Sequence, residues 1–89
     1  MSLVKAAKDF LFGRRLSYLQ TFDKNNQSAQ RVLKDLAKFC RANQPTFHTE
    51  ARVHAMLEGR REVWLRIQQH LNLTPEQLWE LFGNKGDSQ

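Results

Sequence analysis

One cysteine, two prolines and four glycines among 89 residues leave this chain with little to cross-link or interrupt it. A lone Cys40 excludes an internal disulfide framework and a zinc site built on paired cysteines, and it fits synthesis in a reducing cytoplasm. No stretch approaches the ~18 apolar residues of a membrane-spanning helix. The opening "MSLVKAAKDFLFG" makes a poor secretory signal, because Lys5, Lys8 and Asp9 interrupt any apolar core. Glycine-rich phosphate loops are missing. So is any two-residue alternation bounded by turns, and the chain therefore reads as all-α.

What is present is a basic, moderately apolar sequence. Its apolar fraction of 40% and charged fraction of 26% belong to a globular protein rather than a disordered tail. A chain this short buries a modest core, so association with copies of itself or with another protein is a natural way to add burial. The expected architecture is a small bundle of four to five helices in a single domain over residues 1–89. Residues 1–22 form a separable docking segment, and "NKGDSQ" at 84–89 forms a frayed tail. The net charge of +5 permits an anionic partner such as nucleic acid or an acidic protein surface.

Periodicity places four helices. The first runs from about Leu3 to Phe22, with a kink or break expected near Gly13, because Leu16, Leu19 and Phe22 do not continue the stripe of Leu3, Ala7 and Phe10. Ser28 is the expected N-cap of the second, which reaches about Arg41. Its positions Ala29, Val32, Leu33, Leu36, Phe39 and Cys40 follow a half-buried helical pattern. Pro45 breaks that helix in "ANQPTFH". The third and longest spans about 50–71. The fourth starts at "TPEQ", where Thr74 caps, Pro75 suits the first helical position and Gln77 completes a capping box. Gly83 is its expected stop.

The stretch "EGRREVWLRI", residues 58–67, poses the sharpest question of the sequence. On a helical wheel Val53, Met56, Leu57, Val63, Trp64, Ile67 and Leu71 fall within about 120°, and Arg60 lies near the middle of that arc. An inward arginine requires a partner. Asp35, at the border of the second helix's apolar stripe, is the expected one, with carbonyls at a helix C-terminus as the alternative. Gly59 lies just beyond the stripe, where a missing side chain lets a neighbouring backbone approach, and Glu58 points to solvent at the head of the motif. Arg61 sits at the edge, available to a partner chain through its planar fork.

On the second helix Arg31, Lys34, Lys38 and Arg41 follow i, i+3, i+7, i+10 with no acid among them. They form a cationic rail that can track a phosphate backbone or an acidic surface, or else a merely solvated helix face. No aromatic interleaves with them, so stacking on single-stranded bases is not suggested. Catalysis has little support: His48 and His54 do not share a face, His70 is distant in sequence, and Cys40 reads as a small core residue. Neither a metal site nor a cofactor is expected. Leu3, Ala7, Phe10 and Phe12 give the first segment apolar residues on more than one face, which suits docking onto a neighbouring protein better than lying on a membrane.

"RVLKDLAKFC" (residues 31–40), Phe47 and "EGRREVWLRI" together resemble a family of small tailed-bacteriophage proteins typified by a virion-region protein of a Bordetella podophage. The shared pattern, a helix ending in Phe-Cys followed by a Glu-Gly-Arg-Arg helix, covers about residues 28–71; the connector "QPTFHTEARVHAML" is less acidic than in that pattern. The resemblance implies a phage origin, with Glu58, Gly59, Arg60 and Arg61 as a structural signature and no reaction. The resulting expectation is a non-enzymatic structural or accessory protein, made in the host bacterial cytoplasm and carried in the virion near the portal, ejection core or head–tail junction. Its partners would be other phage structural proteins and copies of itself, with DNA possible along the rail and membrane unfavoured. The alternatives are a basic nucleic-acid-binding accessory protein or an inhibitor of a host enzyme made during infection.

Overall fold

Ser2 opens the first helix, α1 (Leu3–Thr21): its hydroxyl accepts the Lys5 N–H at 3.0 Å and its carbonyl accepts the Ala6 N–H at 3.1 Å. Three helices follow in the computed structural model, which describes residues 2–83: α2 (Gln27–Phe39), α3 (Ala51–Asn72) and α4 (Pro75–Leu78). A π-helical turn over Trp79–Gly83 continues α4. No strand occurs among the described residues, and the protein is all-α, with α3 as its longest helix. None of the described helices is long and apolar enough to cross a membrane. The tail at 84–89 lies outside the described residues.

Several helix ends differ from the expectation. α1 runs through Gly13 without a break. One glycine costs a helix interior only about 1 kcal/mol, and the backbone ladder on both sides outweighs it; Ser17 Oγ also donates to the Gly13 carbonyl at 3.2 Å. Asn26, not Ser28, caps α2, its side chain accepting the Ala29 N–H at 3.0 Å. The choice is made upstream. Asp23 accepts the Asn25 N–H on its side chain and the Asn26 N–H on its carbonyl, both at 2.9 Å. That turn delivers Asn26 in the extended conformation a cap requires. At the other end α2 stops at Phe39, short of Arg41, in a closing turn described below. The capping box at Thr74 forms as the sequence suggests, Gln77 N–H donating to the Thr74 hydroxyl and the Thr74 N–H to the Gln77 side chain. At Gly83, the last residue of the π turn, a Cβ would run into the Trp79 ring, so only glycine fits there.

The chain divides into two compact units. Unit 1 comprises α1, the end of α3 from Gln68, α4 and the π turn. Its buried centre is Leu11, His70 and Leu78. Unit 2, Phe22–Ile67, comprises α2, the connector and the greater part of α3, and buries Ala29, Cys40, Leu57 and Ile67.

Candidate functional site

In unit 2 the Glu-Gly-Arg-Arg motif is a clamp on the connector between α2 and α3. The backbone leaves α2 through a turn in which Ala42 N–H bonds the Ala37 carbonyl at 2.9 Å and Arg41 N–H bonds the Lys38 carbonyl at 3.2 Å. This closing turn places its pivot residue in the left-handed region and usually employs glycine there. Here the pivot is Arg41, with φ 54°. Arg61 reaches back from α3, one terminal nitrogen donating to the Arg41 carbonyl at 2.9 Å and to the Gln44 carbonyl at 3.0 Å. Glu58, one turn earlier, accepts the Thr46 hydroxyl, and the His54 ring bonds the Thr46 carbonyl at 3.2 Å. The Phe47 ring packs edge-on against His54 at 5.8 Å. Two more connector contacts prepare the start of α3: His48 Nδ1 accepts the Glu50 N–H, and the Glu50 carboxylate accepts the Val53 N–H, each at 2.9 Å.

Arg61, assigned to a partner or DNA, holds two connector carbonyls of its own chain, just beyond α2. Arg60 does reach α2, but through a ring: its guanidinium lies 4.2 Å from the centre of Phe39. The expected bridge to Asp35 is absent among the described residues, and Asp35 is exposed. A carboxylate at the edge of α2 keeps its hydration, whereas the weakly hydrated guanidinium plane gains from an aromatic face. Nor does Gly59 admit a neighbouring backbone. Nothing lies within 4 Å of where its Cβ would be. Around it Met56, Val63 and Phe39 are 47%, 55% and 54% exposed, an apolar patch on the outer side of the unit.

Arg31, Lys34 and Lys38 of the cationic rail are exposed on α2. Arg41 leaves the helical register, and its side chain folds onto the Pro45 carbonyl at 3.4 Å. It still shares a hollow of about 220 Å³ with Lys34, Lys38, Asn43 and Gln44.

Unit 1 centres on a residue that sequence reasoning set aside. His70 is wholly buried, stacked against Tyr18 at 4.3 Å and against Phe82 at 5.3 Å. Its Nε2 receives the Arg14 Nε–H at 3.1 Å. A guanidinium only donates, so Nε2 is the unprotonated nitrogen and the ring proton sits on Nδ1. Arg15 meanwhile donates to the Leu73 carbonyl at 3.1 Å, tying α1 to the end of α3. The signal for His70 was its register, about 20° from Val63 on the helical wheel.

The proposed docking residues of α1 are uncovered. Leu3 is 89% and Phe10 72% exposed, and Ala7 and Phe12 are exposed as well. Ala7 and Phe10 border a hollow of about 280 Å³ with Leu11, Trp79 and Phe82. The described residues contain no group of three or more His, Cys, Asp or Glu placed to hold a metal ion.

Comparison with curated proteins and with solved structures gave no match. A family of Bbp19-like phage proteins matches residues 18–82, a wider span than residues 28–71, which carried the resemblance, and one that takes in both the α2–α3 clamp and the His70 stack. Because that span is most of the chain, the protein belongs to the Bbp19-like phage protein family.

Proposed function

We propose that this phage protein is a non-enzymatic structural or accessory component that works by helix-mediated protein–protein assembly, carried in the virion near the portal, the ejection core or the head–tail region. The observation behind this reading is the amount of apolar side chain left uncovered on helices that are otherwise well fastened. Leu3 and Phe10 on α1, and Phe39, Met56 and Val63 in unit 2, are all more than two-fifths exposed. Contiguous exposed apolar surface rimmed by charge marks a protein contact more often than a solvent face. The polar groups in the same places are engaged in fastening: Arg61, Glu58 and Thr46 close the connector, and Arg14 serves His70. Quantitative proteomics of purified particles tests the assignment. The chain is expected at a fixed copy number per particle, and its absence from particles rejects a virion role.

A second reading, a nucleic-acid-binding accessory protein, draws on the exposed cations of α2 and the hollow that Lys34, Lys38 and Arg41 share. It predicts DNA affinity that falls steeply with salt, since each neutralised phosphate releases counterions. A flat salt response removes it.

A further inference from the structure

The patch around Arg60 is an unusual surface. Met56, Gly59, Arg60 and Val63 follow i, i+3, i+4, i+7 on α3 and so share one face, and Phe39 joins them from α2 beneath the Arg60 guanidinium. Arg60 makes no hydrogen bond or ion pair among the described residues, so its forked donors are unspent at the centre of an apolar ring. Gly59 leaves the helix backbone open to close approach from outside. Such a surface is complementary to a carboxylate that is itself bordered by apolar side chains.

The chain carries that complement. Residues 22–67 hold nine Lys and Arg against five Asp and Glu, whereas residues 74–83 hold Glu76 and Glu80 and no Lys or Arg. The two glutamates are one turn apart and exposed, beside Leu81 at 40% exposure, and neither makes an ion pair among the described residues. We infer that the Arg60 patch of one copy receives the Glu76–Glu80–Leu81 surface of a second copy, with Arg60 gripping a glutamate carboxylate and Phe39, Met56 and Val63 covering Leu81. Face-to-face pairing of two identical patches is disfavoured because it would set Arg60 against Arg60. The contact uses two different surfaces, so it is either reciprocated across a two-fold axis, which gives a dimer, or head-to-tail, which closes into a ring or extends. This inference rests on the assembly reading and names one of its partners.

Sedimentation of the full chain over a concentration series tests it. The wild type is expected to self-associate, as a dimer or as larger species. Arg60→Glu and Glu80→Arg, each checked for helicity, are each expected to raise the half-assembly concentration at least about tenfold. Mixed in equal amounts the two variants are expected to assemble again, because each then supplies the charge the other's altered surface lacks. A wild type that stays monomeric to about 1 mM overturns the inference. So do single variants that assemble like the wild type, or a mixture that fails to recover. A monomeric chain still found at fixed copy in particles would overturn this contact and leave the assembly reading standing. Absence from particles would reject the virion role whatever the solution state.

Discussion

The two units solve the same problem of size by opposite means. Unit 1 closes around rings, with a histidine sealed between a tyrosine and a phenylalanine and an arginine supplying the hydrogen bond that the buried nitrogen needs. Unit 2 buries a small aliphatic centre at Leu57 and Ile67, fastens its connector with charged and polar side chains on backbone carbonyls, and leaves Phe39, Met56 and Val63 on the outside. In the first, burial is spent on internal cohesion. In the second, directional bonds secure the connector, so apolar surface is left over for contacts beyond the chain.

The change expected to damage this division most is His70→Ala. It removes a buried ring from a stack together with the acceptor of the Arg14 Nε–H, a loss of about 3–4 kcal/mol for an aromatic-sized truncation. In a chain this small, thermal unfolding followed by circular dichroism should fall by roughly 15 °C or more. An unaltered transition would show that the rings do not hold unit 1 together. Next in size is Arg61→Ala, which deletes two charge-assisted bonds to carbonyls and should cost about 2 kcal/mol. Hydrogen exchange localises it: amides around the connector lose protection while those near Leu78 keep theirs. Arg61→Lys is expected to recover little, since an ammonium lacks the guanidinium's flat, rigid fork.

Smaller effects of the opposite sign sharpen the contrast. Arg41→Gly relieves a left-handed backbone and should stabilise the fold by about 1 kcal/mol, visible as a higher denaturant midpoint. The same variant should weaken any salt-dependent DNA binding, separating the stability role of that position from its charge. Gly59→Ala meets no obstacle within the chain and should stabilise α3 by up to about 1 kcal/mol. If a second copy packs there, the added methyl weakens self-association even as the melting temperature rises.

Much of this organisation is legible in the residues. Helix number, the long third helix and the capping box at Thr74 follow from periodicity and local capping chemistry, both of which act over a few residues. The misplaced N-cap at Ser28 shows the limit of local rules. Asn26 and Ser28 are both competent, and the turn set by Asp23 decides between them. The arginine pair shows a deeper limit. A helical wheel says that Arg60 and Arg61 point about 100° apart, but not what each meets. The answer depends on where the connector's carbonyls stand, and the non-glycine pivot at Arg41 that puts them there leaves no pattern in composition. His70 was hidden for a related reason. Its partners Arg14, Tyr18 and Phe82 come from opposite ends of the chain, so no window of sequence contains them together.

Cys40 closes α2 and is almost fully buried, its backbone N–H held by the Leu36 carbonyl at 2.8 Å. The single thiol belongs to the residue just before Arg41, whose carbonyl Arg61 holds. A maleimide or disulfide reagent can reach that buried sulfur only when the surrounding structure opens, so the pace of its modification is a native stopwatch for breathing at this end of the helix, with no engineered label required.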